Sequence, residues 1–265
     1  MTFPDGTNDT ILLTPATINN STTPCLFTGD LASGSEATIA VAGCRHSPTT
    51  TLSLAYNRLL LDYIIGQGET RSTALARAQD YNMVGWAGDT IDYLRPPPLP
   101  GPAGYWRGPP YFGPLPSEVV VKTRIVYDRN LLDHFQGRHD RVVEWIDTVL
   151  TLSQPRLAHS SLRVKVRLAL EPGYAFVDIR LPKPSLEHGG YAFVDMLADA
   201  NRKYKALIHA FTYHDDYKAR GLALNSYGEA CSTDGSGTAM SSFGDSELYS
   251  SVVYAHELGH MLGMK

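Results

Sequence analysis

The sequence predicts an α/β fold, preceded by a smaller β-rich region, and three observations lead to this prediction. Strand-like and helix-like segments alternate between residues 117 and 262. The chain has 265 residues, of which 43% are apolar, so that an ordinary buried core can form. A proline-rich stretch divides the alternating part from an N-terminal part with strand-like patterns. Strands that alternate with helices are typical of α/β folds.

The N-terminal part, residues 1–95, has mainly β-type patterns. Residues 36–43, EATIAVAG, are typical of a strand, and residues 51–66, which follow it, of a helix or a second strand. Residues 72–81, STALARAQDY, favour a helix. Together these segments predict a small β-rich region.

The stretch from Pro96 to Pro116 contains nine of the 17 prolines. Proline lacks the backbone donor and fixes φ, so this stretch is neither a central strand nor the interior of a helix. We interpret it as a semi-rigid linker. The alternative is a long proline-rich surface loop within one domain.

The part from residue 117 onward begins with a strand at 117–128 and a helix at 139–155 that is expected to end before Pro155. A second strand is predicted at 161–172, because its apolar residues alternate and share one face: Leu162, Val164, Val166 and Leu168. A helix at 191–207 and strands at 208–214 and 221–228 follow. The last element is a helix at 246–262, with Ser246 as its cap and an apolar face of Leu248, Val252, Val253 and Leu258.

Composition excludes two classes of partner. The formal charge is -4 and the pI is about 6.1, with no cluster of Lys and Arg, so we expect no nucleic acid or anionic membrane surface as a partner. No apolar run reaches the roughly 20 residues that a membrane helix needs, and no signal peptide is evident. The oligomeric state is left open.

The last ten residues, HELGHMLGMK, contain two histidines at helical spacing with a glutamate between them. On a helix His256 and His260 lie one above the other, so both rings can direct a nitrogen at one metal ion. Glu257 is then placed to take a proton from a water at the open coordination position. Zinc in such a site lowers the pKa of its water from about 15.7 to about 7, which is the chemistry of peptide hydrolysis. The alternatives are a solvated helix with two surface histidines, or a structural zinc site.

The stretch HELGHMLGM resembles the H-E-x-x-H-x-x-G-x-x-H signature of the metzincins. Its residues at the variable positions are similar to those of the adamalysin (reprolysin) branch, which includes the ADAM and ADAMTS proteases. VVVKTRIVYDRNLL resembles the opening strand of that family, RVVEWIDTVLTL its first helix, LRVKVRLALE its second strand and GLALNSYGEACS its cleft-edge strand. CLFTGDL at 25–31, VAGC at 41–44 and GDTIDYLRP at 88–96 are similar to its propeptide. The resemblance implies a propeptide-like region at 1–95, a linker at 96–116 and an incomplete metalloprotease domain at 117–265. In that domain a twisted, mostly parallel sheet has an antiparallel edge strand, and the active-site helix is C-terminal.

The resemblance also implies residue roles. His256 and His260 would bind zinc, and Glu257 would be the general base that later protonates the leaving amine. A protein or peptide substrate would add as an antiparallel strand along the cleft edge, at Gly221, Leu222, Ala223 and Leu224. Cys25 and Cys44 would form a propeptide disulfide, with two free buried thiols as the alternative. The implied protein is a secreted zymogen, or the ectodomain of a membrane protein, that acts on extracellular proteins.

The chain departs from the family pattern at several positions. The third zinc ligand of the signature would be residue 266, and the sequence ends at Lys265, so we expect these 265 residues alone to be inactive. Lys122 stands where related domains have a calcium-binding glutamate, which makes a calcium site doubtful. His188, His209 and His214 are interpreted as core or surface residues and not as ligands. The alternatives in function are a non-catalytic protein-binding pseudoprotease and a truncation product with no function.

Overall fold

The computed structural model describes twelve stretches of the chain, which contain two six-stranded sheets and three helices. The described residues are 6–18, 21–35, 37–43, 50–56, 59–65, 70–75, 117–158, 165–180, 207–214, 221–223, 237–242 and 247–262. The proline-rich stretch at 96–116 lies outside them, so the linker stays a prediction.

The first sheet is an antiparallel meander in which each strand pairs with the next one along the chain. Its strands are β1 (Ile11–Ile18), β2 (Ser21–Leu31), β3 (Ala37–Ala42), β4 (Thr50–Tyr56), β5 (Leu59–Ile65) and β6 (Thr70–Leu75). The strand predicted at 36–43 is confirmed by β3. For residues 51–66, predicted as a helix or a strand, the described residues form two strands, β4 and β5.

The helix predicted at 72–81 is wrong for its first four residues, which belong to β6. In this strand Ser72 to Leu75 pair with Tyr63 to Leu60 of β5. Alanine, leucine and arginine favour a helix only slightly, and pairing with an otherwise open sheet edge outweighs that preference. Residues 76–81 lie outside the described part.

The second sheet is mostly parallel and gives this part of the chain its α/β character. Its strands are β7 (Glu118–Asp128), β8 (Lys165–Leu170), β9 (Ala175–Val177), β10 (Leu207–Thr212), β11 (Gly221–Ala223) and β12 (Thr238–Ser242). The order is β11-β12-β10-β7-β8, and β9 pairs with the C-terminal end of β7. Only β11 runs antiparallel to its neighbour. The α/β prediction and the antiparallel edge strand are therefore confirmed.

The strands predicted in this part are present, although residues 171–172 and 213–214 are not part of them. Val166 is buried in β8 and Leu168 is half-buried, as the alternating pattern predicted, whereas residues 162 and 164 lie outside the described part. The helix predicted at 191–207 also lies outside it, apart from Leu207, which begins β10. No pattern predicted β12, TAMSS, because its small and polar residues carry little strand signal.

Three helices accompany this sheet in the described part: α1 (Arg129–His134), α2 (His139–Leu157) and α3 (Glu247–Met261). Helix α1 begins at buried Asp128, whose Oδ1 accepts the backbone N–H of Leu131 at 2.9 Å. The other oxygen of Asp128 accepts the Thr212 hydroxyl at 2.8 Å, which connects the ends of β7 and β10. None of these helices is long and apolar enough to span a membrane.

Helix α2 continues through Pro155 to Leu157, so the predicted end before this proline is wrong. Proline lacks the N–H that would bond to the carbonyl four residues earlier. The carbonyl that loses this donor is that of Thr151. In the same turns the Ser153 hydroxyl donates to Leu150 O at 2.7 Å and the Arg156 guanidinium to Leu152 O at 2.7 Å. The backbone bond from Ala158 N to Gln154 O then closes the final turn.

Helix α2 packs between the first sheet and helix α3. On one side, fully buried Leu152 belongs to a cluster with four residues of β1, β2 and β3: Ala16, Leu26, Ala40 and Ala42. Arg156 Nη1 donates to the hydroxyl of buried Ser53 in β4 at 3.0 Å. On its other side, Ile146, Val149 and Leu150 join the core formed by α3 and the second sheet.

Cys25 at the middle of β2 is disulfide-bonded. Its predicted partner, Cys44, lies outside the described residues, so the pairing stays a prediction. In the described part, Gly43 N donates to the Cys25 carbonyl at 2.9 Å.

We expect Leu152→Ala to lower the free energy of unfolding by about 2–5 kcal/mol, because it opens a cavity between α2 and the first sheet. Urea unfolding followed by tryptophan fluorescence measures this change. Leu12→Ala is the matched control, since Leu12 is 55% exposed, and its effect should stay within about 0.5 kcal/mol. Equal effects of the two substitutions would contradict the packing of α2 against this sheet.

His209 lies at the centre of β10 and is fully buried, and its Nε2 lies 2.9 Å from the Ser241 hydroxyl of β12. Burial lowers the pKa of His209 from 6.5 to about 3. The folded chain therefore binds fewer protons than the unfolded chain between these values. Stability from neutral His209 is present above pH 6.5 and is lost as the pH falls toward 3.

We expect His209→Phe to flatten the fall of stability between pH 6.5 and pH 3, because phenylalanine takes up no proton. At pH 4.5 the difference amounts to about 2–3 kcal/mol. Loss of the Ser241 contact lowers stability equally at every pH. The slope of the free energy of unfolding against pH therefore isolates the contribution of His209 protonation. Urea unfolding at a series of pH values measures it, and parallel profiles of the two proteins would contradict the expectation.

Candidate metal centre

Helix α3 is oriented by a stripe of buried residues that faces the core: Tyr254, Leu258 and Met261, all 0% exposed. The Tyr254 ring lies 4.5 Å from the ring of His209 and stacks at 5.7 Å on Phe211, both in β10. Burial also raises the pKa of Tyr254 above its usual range. Of the apolar face predicted from sequence, Val253 is buried as well, while Leu248 and Val252 are half-buried.

His256 and His260 lie on the other side of the helix. His256 follows Tyr254 by two residues, which corresponds to a rotation of about 200° around the helix axis. Since Tyr254 faces the core, His256 points away from it. Both histidines are half-buried. Their Nε2 atoms lie 2.9 Å apart, with ring centroids at 4.4 Å and planes at 84°. The structure thus brings the two predicted ligands to one point.

The two histidines fit a zinc ion. With Zn–N bonds of about 2.0–2.1 Å, a tetrahedral ion needs about 3.3–3.4 Å between two ligand nitrogens. The observed nitrogens are a few tenths of an ångström closer than that, so a small opening of the rings is enough. At 2.9 Å one Nε2 carries the hydrogen and the other accepts it, whereas a metal requires the lone pair of both.

Glu257 lies beside this pair and is only 6% exposed. Its carboxylate packs against Gly221, the first residue of the edge strand β11. A predicted base and the predicted substrate-binding strand are therefore in contact. No local sequence pattern indicates this contact, because 36 positions separate the two residues.

Strand β11 lies at the edge of the second sheet. It pairs on one side with β12 through Gly221 with Ser241, Leu222 with Met240 and Ala223 with Ala239. Among the described strands it has no second neighbour. Three of the four predicted substrate-binding residues lie here, and Leu224 is outside the described part. An exposed edge of this kind can accept an extended peptide.

The described residues contain no group of three or more His, Cys, Asp and Glu side chains that would hold a metal by itself. His209 is in the core, as predicted, and His214 follows the end of β10. His188 lies outside the described part. At the doubtful calcium position, Lys122 is exposed on β7, and both oxygens of Asp128 accept protein hydrogen bonds.

Comparisons with known proteins give distant likenesses only. No family model matches the chain, and no curated protein matches it. Among solved structures it is similar to metalloproteinase-II from Bacteroides fragilis, with 12% identity and a TM-score of 0.41, over 96% of this chain and 76% of that one. It is also similar to a chain in a chaperone-substrate complex, with 10% identity and a TM-score of 0.39, over 80% of this chain and 30% of that one.

We expect the 265-residue chain to bind Zn²⁺ through the α3 pair, and His256→Ala and His260→Ala each to weaken binding at least about tenfold. Competition with a chromophoric chelator measures the affinity, and the visible spectrum of bound Co²⁺ reports nitrogen ligands. His139→Ala, which removes a histidine of α2, is the control. Unchanged affinity in both α3 variants would show that zinc binds elsewhere.

Proposed function

We propose that this protein is a zinc-dependent endopeptidase of the adamalysin type, made as a zymogen. One observation carries the proposal: the Nε2 atoms of two histidines lie 2.9 Å apart on α3, and the buried glutamate between them in sequence, Glu257, contacts the edge strand β11. A buried carboxylate next to two metal-ligating imidazoles is the arrangement that metal-assisted hydrolysis needs.

His256 and His260 would hold the zinc ion through their Nε2 atoms, together with a third ligand outside the described residues. Zinc, when bound, supplies Lewis acidity toward water and the scissile carbonyl. Glu257 takes a proton from the attacking water as the new C–O bond forms. It then delivers that proton to the amine nitrogen as the C–N bond breaks. Burial of Glu257 excludes bulk water from this proton transfer.

The edge strand β11 would hold the substrate. Backbone groups of Gly221, Leu222, Ala223 and Leu224 are proposed to bond to an extended peptide that runs antiparallel to them. Since Gly221 contacts Glu257, a peptide on this edge passes directly beside the base. The backbone supplies affinity without a sequence requirement, so specificity depends on pockets at other positions.

The first sheet would be the propeptide-like region of this zymogen, with Cys25 and Cys44 as its disulfide. It packs on α2, which in turn packs on α3. In this proposal residues 1–95 stabilise the helix that supports the metal-binding helix, residues 96–116 are the linker, and residues 117–265 belong to the catalytic domain. A secreted protein, or an ectodomain, is the setting in which such a disulfide forms.

We expect Glu257→Ala to leave Zn²⁺ affinity within about threefold of wild type and to lower peptide cleavage by at least about 100-fold, since only the proton carrier is removed. The measurement combines chelator competition with cleavage of a quenched fluorescent peptide. Zinc affinity is measured on the 265-residue chain. Cleavage is measured on the same chain with one histidine added after Lys265, the position that the signature assigns to the third ligand, because the 265 residues alone are expected to be inactive. Glu247→Ala, in the first turn of the same helix, is the control.

Cleavage that survives in Glu257→Ala would remove this residue from the mechanism. If the chain with Glu257 intact binds zinc but cleaves no peptide, with or without the added histidine, the peptidase function is excluded. Binding of the uncut peptide would then favour the non-catalytic protein-binding function.

A further inference from the structure

The glycine at position 221 is in unusually close contact with the proposed base. A Cβ atom built on Gly221 would lie 2.5 Å from Glu257 Cγ and 2.6 Å from Cδ, and closer still to Oε1. Real Cβ contacts of this length essentially do not occur. The space that any other residue would fill is thus occupied by the Glu257 side chain.

Backbone conformation does not explain the glycine. The described glycines with positive φ are Gly6, Gly34, Gly137 and Gly173, and Gly221 is not among them. Gly221 lies in a regular antiparallel ladder, where any L-residue is allowed. The distinctive feature of its surroundings is instead the Glu257 side chain, which occupies the space of a Cβ atom.

The contact cannot be relieved without displacing the carboxylate or the strand. Helix α3 is held in place by buried Tyr254 and Leu258 on either side of Glu257. Strand β11 is held by three paired residues to β12, whose residues Thr238 to Ser242 are all fully buried. A methyl group at 221 would therefore rotate the Glu257 side chain or push β11 outward.

We propose that Gly221 is a positioning residue, which sets the location of the Glu257 carboxylate relative to the histidine pair and to the strand that takes the substrate. The inference rests on the proposed function for the role of Glu257 in catalysis, but the contact itself does not. Residue 221 then has two separate roles, one of its backbone and one of its missing side chain. Its backbone groups would bind peptide, and an alanine keeps these groups, whereas its missing side chain places the base.

A double-mutant cycle in thermal stability tests the contact without reference to activity. We expect Gly221→Ala to lower the Tm of the 265-residue chain by about 3–10 °C, as overpacking of a well-packed site does. In the Glu257→Ala background the same substitution should lower the Tm by less than about 2 °C, because the clashing atoms are gone. Equal shifts in both backgrounds, or no shift in either, would overturn the proposal.

Gly43→Ala is the matched control for this cycle. Its Cβ would approach Thr50 Oγ1 of the first sheet at 3.3 Å, so it makes a tight contact far from Glu257. We expect its Tm shift to be the same in the wild-type and the Glu257→Ala backgrounds. If the Tm shift of Gly43→Ala differed between the two backgrounds, the cycle would report general destabilisation and not a direct contact. The Gly221 result would then no longer support the proposal.

The kinetic readout is the split between kcat and KM for the quenched fluorescent peptide. A displaced base should lower kcat by about 100-fold, while the retained backbone groups keep KM within about threefold. Unchanged kcat would overturn the positioning role. If the wild-type chain cleaves no peptide with or without the added histidine, the proposed function fails, and the stability cycle alone decides whether Gly221 holds Glu257.

Discussion

Helix α2 has almost no side that faces solvent, and the arrangement of the other elements depends on this burial. From Trp145 to Leu157 every residue except Gln154 is buried, although several are polar. Asp147 accepts the Tyr174 hydroxyl, Thr148 and Ser153 bond to carbonyls of their own helix, and Arg156 bonds to Ser53. Burying a polar group is costly unless it is hydrogen-bonded. The bond from Arg156 to Ser53 connects the helix to the first sheet, and the bond from Tyr174 to Asp147 connects it to the α/β part.

Helix α3 takes its position from the same core. Its inner stripe contacts β10 and α2, and the helical rotation then fixes the side on which His256 and His260 emerge. The histidine pair is local in sequence, but its direction in the fold is set by Tyr254 and its contacts. Glu257, one residue from His256, falls at the boundary between this core and the edge strand, and for this reason it is buried while the histidines are half-exposed.

Local patterns predicted most elements whose residues carry a strong periodic signal. β7, α2, β10 and α3 are present where apolar spacing placed them, within a few residues. The errors occur where tertiary contacts overrode propensity. Residues 72–75 pair with β5 despite their helical composition, α2 continues through Pro155 to a final turn closed by the Ala158 N–H, and β12 forms between β10 and β11.

By itself the sequence determined the pair of ligand-type residues and the glutamate between them, because the spacing of a helix makes residues four apart neighbours. It also determined the α/β order of the part after residue 117. Only the tertiary structure decided that the two histidine nitrogens lie within 2.9 Å, that the first sheet packs on α2, and that Gly221 touches Glu257. The physical reason is the distance along the chain over which each effect operates. Periodicity reports contacts within one element, whereas the approach of an edge strand to a helix depends on the packing of every element between them.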